Sequence, residues 1–598
     1  MNRLAAGLSL IALTTTSLTP ALAQSAQTAP AAAAKPGQGI SAAALDASSG
    51  DAGAAWHSAQ PVIAKHAMVV SAEHYATEVG LSILKQGGNA VDAAVAVGYA
   101  EAVVHPCCGN IGGGGFMTVH LADGRNLFLD FRERAPLKAT ATIFQDADGN
   151  VVKGRSTGTW LGIGTPGTVM GLNEALAKYG TMKLGKVMAP AIALAEKGYI
   201  LQAGDVKILN GRIDDFNKEA NVAPTFTNHG QPWQVGDRLI QPQLAASLKL
   251  IAKGGTKAYY QGSIAQKIVT ASQANGGLLT MKDFAEYTVK WDKTVECDYR
   301  GYHIVAPPPP SSGGTTLCEI LEVLKPYPLQ DWGYGSPKAV HYMLEAERNA
   351  FADRNTDLGD PAFIDNPVQK LISPEHAAEI RTRIQPDKAT PSTDIKGIPG
   401  AQEGTNTTHF SVLDAKGNAV SVTYTLNYLF GVGKIAGDTG FFLNNEMDDF
   451  TSKPGVPNAF GLVQGSANAV APGKRPLSSM TPTILLKDGK VAMVTGSPGG
   501  STIITTTLQS ILNVVDFGMN MKQAVDAPRI HHQWLPDKVM MQPGYLTPAA
   551  QQELEAMGYS FQMVPGWGAD EAIFVDPTTG DIQGANDMRR PAGLAAGY

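Results

Sequence analysis

Between Asn406 and Asn427 the chain reads NTTHFSVLDAKGNAVSVTYTLN, and its hydroxyl side chains recur at a spacing that could support nucleophilic chemistry. Two segments of alternating apolar residues flank Asp414-Ala415-Lys416-Gly417-Asn418, the pattern of a β-hairpin whose type I turn is closed by Gly417 in the left-handed region. Asp414 then pairs with Asn418. Without a bulge in either strand, that register sets Thr407 directly opposite Thr425, with Cβ atoms roughly 4.5–5.5 Å apart. Two hydroxyls at that separation are within reach of each other. Val420, Val422, Tyr424 and Leu426 fall on one face of the second strand, and Ser421, Thr423 and Thr425 on the other. An ordinary sandwich hairpin with a Thr-rich polar face has the same pattern. The Gly-Thr-Asn-Thr-Thr lead-in and the polar and glycine motifs just downstream set this one apart.

Other candidate chemistries are weaker. Ser82-Ile83-Leu84-Lys85 fits Ser-x-x-Lys, but Val79, Ile83 and Leu84 around it mark an amphipathic surface helix, and no Ser-Asp-Asn or Lys-Thr-Gly accompanies it. The run Gly112 to Gly115 lacks the Lys-Ser/Thr of a phosphate loop and reads as a site of close backbone packing near a ligand. His531-His532 has no His-Glu-x-x-His or Cys-x-x-Cys partner set, so a structural role is expected and no metal. Cys107, Cys108, Cys297 and Cys318 could oxidise outside the cytoplasm but are too few for a disulfide scaffold, and adjacent Cys107-Cys108 read as small buried residues rather than a bridge.

The elements that hold such a site begin after a leader. Residues 1–23 have one Arg, an apolar run from Leu4 to Leu13 and a small-x-small ending at Ala21-Leu22-Ala23, the layout of a cleaved signal peptide, so the mature chain is expected from Gln24 in the periplasm or outside the cell. The apolar run is well short of the roughly 20 residues that span a bilayer, so no membrane anchor is expected. Residues 24–60 are rich in Ala, Ser, Gly, Gln and Pro and read as a disordered linker. The remainder, from about Pro61, contains no second such linker and reads as one large unit of mixed α and β structure, with helical patterns near 76 to 104 and 337 to 351. Charged residues make up 17% of the chain, below the roughly 25% of an average soluble protein, and the net charge of −6 carries no basic tract, which excludes a nucleic-acid partner.

The motifs NTTHFSV, TYTLN, LNNEMDDF (443 to 450), KPGVPNAFG (453 to 461), KRPLSSMTPT (474 to 483), TGSPGG (495 to 500) and APRIHHQW (527 to 534), with GNIGGGGFM (109 to 117) and LDFRERAP (129 to 136) upstream, resemble the gamma-glutamyltransferase family, bacterial periplasmic type, from about residue 62 to Tyr598. The resemblance implies an N-terminal-nucleophile hydrolase fold, an αββα four-layer sandwich. It also implies an inactive precursor that cuts the Asn406-Thr407 bond into a large subunit (61–406, after the leader and linker) and a small one (407–598), which stay together as a heterodimer. Thr407 would then take the γ-glutamyl group of glutathione or another γ-glutamyl donor as an ester. It would pass that group to water or to an amino-acid or peptide amine, with no cofactor.

In the same terms Thr425 orients the nucleophile, and Gly499 and Gly500 form the oxyanion hole. Arg132 with Ser478 and Ser479 binds the donor's carboxylate, and Asn427, Glu446 and Asp449 face its ammonium. Phe460 lies in the segment resembling the active-site lid, where relatives often have Tyr, so a phenolic latch is not expected. Position 446 is Glu where some bacterial relatives carry Gln, which strengthens attraction to the ammonium. Two alternatives remain: a cephalosporin or glutaryl acylase of the same superfamily, and an exported protein that binds glutamyl compounds without turnover.

Overall fold

A computed structural model of the chain describes residues 55–395, 406–454, 456 and 465–598. The expected signal peptide, most of the expected linker, and Phe460 lie outside the described residues. From residue 55 onward the described chain belongs to one compact unit.

The hairpin forms as its sequence dictates. Strands Thr407–Leu413 and Ala419–Thr425 pair from Leu413↔Ala419 to Thr407↔Thr425 with no bulge. The Asp414 carboxylate accepts the N–H groups of Lys416 and Asn418 at 2.8 and 3.0 Å, and Gly417 takes a φ of +89° that a side chain would strain.

This hairpin is the centre of a seven-stranded sheet in the order Leu594–Gly597, Met68–Ser71, Thr407–Leu413, Ala419–Thr425, Gly114–His120, Asn126–Phe131 and Lys290–Asp292. The glycine run beside it is there for backbone approach. A Cβ on Gly113 would fall 1.8 Å from the Thr425 carbonyl oxygen, and one on Gly112 would fall 2.0 Å from that of Phe442.

A second seven-stranded sheet runs Val62–Ala64, Ile582–Ala585, Ala572–Val575, Lys490–Thr495, Thr483–Lys487, Tyr302–Ala306 and Val295–Tyr299. Met68, Val70, Leu413, Ile484, Val494 and Ile573 pack between the two sheets. Helices His74–Lys85 and Ala90–Val104 lie on the first sheet with Leu184–Lys197 packed behind them, and Gly313–Leu324 lies on the second with Pro337–Asp357 and Thr502–Val515 packed against it. The result is the αββα sandwich that the resemblance implied.

The pattern near 76 to 104 resolves into two helices broken at Gly87-Gly88, the second started by a capping box between Asn89 and Asp92. Every residue of Ala90–Val104 is buried, which is why it carries no amphipathic period. Ser82 and Lys85 are exposed on a helix that buries Ile83 and Leu84, as expected of a surface helix.

Two expectations are corrected. The linker does not run to residue 60: Trp56 is buried 5.3 Å from the Tyr334 ring, and Asn520 Nδ2 donates to the Ala59 carbonyl at 3.1 Å. A single Trp in a low-complexity stretch has no periodicity to announce it. Cys107 and Cys108 are bridged to each other, and Cys297 is bridged to Cys318. The adjacent pair is buried as expected, but it lies in the turn after Ala90–Val104, where side chains follow neither helical nor strand directions. The carbonyls of Cys108 and Cys107 accept the N–H groups of Leu426 and Phe430 at 2.9 and 2.7 Å, so the bridged turn buttresses the stretch that carries Asn427.

Candidate active site

Thr407 and Thr425 end the two central strands with their hydroxyls 3.2 Å apart, both nearly buried. The Thr425 hydroxyl donates to the Asn406 carbonyl oxygen at 3.3 Å and accepts the Asn427 N–H at 2.8 Å. With its own proton committed to Asn406, Thr425 has an oxygen left to accept from Thr407. The bond between Asn406 and Thr407 is thus flanked by a hydroxyl that can attack it and a hydroxyl that polarises it.

His409, two residues along on the same face, is not aimed at that bond. Its ring nitrogens meet Thr423 Oγ1 at 2.8 Å and Ser411 Oγ at 3.1 Å, and burial lowers its pKa to about 3, so it stays neutral.

The strand Lys490–Thr495 crosses this hairpin in the facing sheet. Ser421 Oγ donates to the Thr495 carbonyl at 3.0 Å, and a Cβ on Gly496 would strike the His409 ring at 2.4 Å. Beyond Gly496 the chain reaches Gly499 and Gly500 just before helix Thr502–Val515. Their φ values of +142° and +60° lie in the region that favours glycine, the first of them closed to any side chain without strain. Their carbonyls are used by the helix, accepting from Thr502 and Ile503.

A buried cluster of charge lies beyond Asn427. Arg132, at the end of strand Asn126–Phe131, donates through Nη1 to Glu446 and through Nη2 to Asp449, with Glu133 Oε2 3.7 Å away. Its Nε reaches the Pro476 carbonyl at 3.3 Å. Burial alone disfavours the guanidinium charge, but Glu446, Asp449 and Glu133 more than offset it and raise the pKa. Burial likewise pushes Glu446 and Asp449 upward, with Arg132 pulling both back. Glu446 and Asp449 sit on a short 3₁₀ turn, and Asn427 Nδ2 ties that turn to the hairpin by donating to the Asn445 carbonyl at 3.0 Å. Ser478 is fixed by pairing with Ser311, and Ser479 Oγ accepts from Arg354 Nη2 at 2.7 Å.

Of the residues singled out in the sequence, Thr407, Thr425 and Asn427 form one hydrogen-bonded group that Asn427 ties to the Arg132, Glu446 and Asp449 cluster, while Gly499 and Gly500 lie on the turn before helix Thr502–Val515. Glu133, Arg354, Ser312 and Asn445 were missed as supporting residues. Glu133 stands inside the LDFRERAP motif and Asn445 inside LNNEMDDF, but Arg354 and Ser312 belong to no motif: only in the fold does Arg354 meet Ser312 and Ser479, and Ser312 the Ser478 carbonyl.

The His531-His532 pair is structural. His531 bonds Thr505 Oγ1 and Gln533 Oε1 at 2.8 and 2.9 Å, and His532 Nδ1 accepts the Trp534 N–H at 3.0 Å.

Glu133 supplies a pH test. Burial pushes its carboxyl up to about 7, with Arg132 offsetting part of the effect. For an acid, a raised folded pKa means that the folded state binds protons more tightly than the unfolded one between about 4.5 and 7, so stability falls as pH rises through that window. Glu133→Gln removes this titration. Thermal melts across the window are expected to give a slope shallower by up to about 1.4 kcal/mol per pH unit, and an unchanged slope would count against Glu133 as the titrating group.

The family model described as Gamma-glutamyltranspeptidase matches residues 76–597. The glutathione hydrolase proenzyme of Pseudomonas sp. (strain A14) is 52% identical over 548 residues, covering 90% of this chain and 95% of that protein. The glutathione hydrolase proenzyme of Escherichia coli (strain K12) is 47% identical over 542 residues, covering 90% and 93%. Among solved structures, the cephalosporin acylase from Bacillus halodurans superposes with a TM-score of 0.80 at 28% identity, covering 90% of this chain and 97% of that one.

Proposed function

This chain belongs to the gamma-glutamyltranspeptidase family, and from that premise we propose that Thr407 performs both its maturation and its turnover. The protein is a glutathione hydrolase and γ-glutamyltransferase made as a self-cleaving precursor. The observation that carries the assignment of the nucleophile is the trio of Thr407, Thr425 and the Asn406 carbonyl.

In maturation the Thr407 hydroxyl attacks the Asn406 carbonyl carbon, and Thr425 donates to the oxygen on which charge develops. The peptide C–N bond breaks, an ester joins Asn406 to the Thr407 oxygen, and water releases the Asn406 carboxylate. Thr407 is left with a free amine. That amine has a reference pKa of about 7.7–8.0, so a useful fraction is neutral near pH 7 and serves as base for its own hydroxyl.

In turnover Thr407 attacks the γ-carbonyl of the donor. The N–H groups of Gly499 and Gly500 face the oxyanion, a role in which one lost donor typically costs about 100- to 1000-fold. The leaving amine takes the proton, and the ester is resolved by water or by an acceptor amine.

The Arg132 cluster fits a donor head with one carboxylate and one ammonium. The carboxylate, joined by Ser478 and Ser479, replaces Glu446 and Asp449 on Arg132, while the ammonium, beside Asn427, replaces Arg132 on the two carboxylates. Each buried charge exchanges one partner for another of the same sign, which avoids stranding it. A glutaryl head would satisfy Arg132 and leave both acids unpaired. That asymmetry favours γ-glutamyl donors over the acylase reading, and the intact Thr407–Thr425 pair favours turnover over binding alone.

Export through residues 1–23 and assembly of the two cleaved pieces as a heterodimer complete the reading. Among the described residues no helix is long and apolar enough to cross a membrane.

The test compares anilide release by the mature protein from a γ-glutamyl anilide and from the matching glutaryl anilide. A preference for the amino-bearing substrate of about 100-fold or more is expected from a site left with unpaired buried charge. Equal rates, or faster glutaryl release, would move the acylase reading to the front.

A further inference from the structure

Behind the second sheet three helices converge on a group that the reaction does not use. Glu319 projects from Gly313–Leu324, Asp353 from Pro337–Asp357 and His376 from Pro374–Arg383, and one ligand-type atom of each lies within 4.8 Å of the others. His376 Nε2 is 2.8 Å from Asp353 Oδ2 and 3.4 Å from Glu319 Oε1. Glu319 is wholly buried and neither of its oxygens makes a hydrogen bond; the one cationic group against it is the His376 ring at 3.4 Å, an ion pair only while that ring is protonated. Asp357 and Glu379 add negative charge nearby, and Lys370 faces Asp357.

A buried carboxylate without a hydrogen bond is expensive and needs a cation or a proton. We propose that Glu319, Asp353 and His376 form a structural site for a divalent first-row transition cation, with zinc the best match to the donor set. One imidazole nitrogen and two carboxylate oxygens are characteristic zinc donors, whereas calcium takes six to eight oxygens. Tetrahedral bonds of about 2.0–2.1 Å place donor atoms about 3.3 Å apart, against 3.4 Å from His376 Nε2 to Glu319 Oε1 and 2.8 Å to Asp353 Oδ2. The Asp353 side chain is 26% exposed, which leaves an entry path and room for water as the fourth ligand. The three ligands lie far apart in sequence with no short motif, so the sequence did not announce the site.

The cation would pin the helix that carries Arg354, the residue after Asp353, whose guanidinium holds Ser312 Oγ at 2.9 Å and Ser479 Oγ at 2.7 Å. Its role is therefore structural support of the carboxylate-binding serines, with no part in bond making.

Untagged mature protein, stripped with chelator and dialysed against micromolar zinc, is expected to retain one zinc per heterodimer by metal analysis. Cobalt as a probe should give the visible bands of a low-coordinate site. At a hundred times Kd, zinc should raise the thermal midpoint by about 2–3 °C. His376→Ala and Glu319→Gln should abolish all three signals while γ-glutamyl anilide turnover continues. If either variant does not fold, Asp353→Asn at the partly exposed ligand decides: at least tenfold weaker zinc binding is expected, by analogy with the roughly 10- to 100-fold losses at supporting residues of metal sites. Absence of retained zinc in the parent, or retention unchanged by these substitutions, overturns the proposal.

Discussion

Thr407→Ala is expected to leave the chain in one piece and without activity. On a denaturing gel the parent should resolve into two fragments meeting at the Asn406-Thr407 bond, and the variant into a single precursor. Turnover of a γ-glutamyl anilide should fall by about 10⁴-fold or more, as when the nucleophile of an interdependent set is removed. Thr407→Ser, which keeps the oxygen and loses a methyl, should still cut and still turn over. Thr425→Ala keeps the nucleophile but removes the only donor seen on the Asn406 oxygen among the described residues, so it should slow maturation by about 10- to 100-fold, the worth of one well-placed hydrogen bond in a buried site. Cleavage by Thr407→Ala at the parent's rate would remove Thr407 from the mechanism, whatever its resemblance to the family motif.

The Thr407–Thr425 pairing was legible in the sequence because it is local. A period of two on each side of a Gly-closed turn determines the register, and one register puts the two hydroxyls together. Helix Ala90–Val104 was harder to delimit, since burial on every side erases the alternation that marks a surface helix. The Arg132 cluster joins residues more than three hundred positions apart, so no spacing rule reaches it. Arg132, Glu446 and Asp449 were found because each stands in a family motif, whereas Glu133 and Arg354 acquire their roles from what packs against them. The bridged Cys107–Cys108 pair and the docked Trp56 were misread for a related reason: their partners are set by tertiary structure, and composition points the other way.

The second large effect follows from the closed state of that cluster. Arg132→Gln would leave Glu446 and Glu133 buried without their cation, beside a partly exposed Asp449 that still feels Arg354, and losing one partner of a buried charge pair commonly costs about 3–5 kcal/mol. Part of that cost can be escaped by protonation, since burial already pushes all three acids upward. The escape restores stability but not recognition, because a protonated Glu446 no longer attracts the donor's ammonium and glutamine no longer binds its carboxylate through two charged N–H groups. The expected result is a kcat/KM for γ-glutamyl anilide reduced by about 10³-fold, with stability least affected at low pH. Arg132→Lys keeps the charge and loses the fork, so it should retain most of the stability and still lose about 10- to 100-fold in kcat/KM. Adding Glu446→Gln to Arg132→Gln should recover folding stability without recovering turnover. Recovery of both would mean that Arg132 serves only to neutralise its neighbours and that the donor's carboxylate is bound elsewhere.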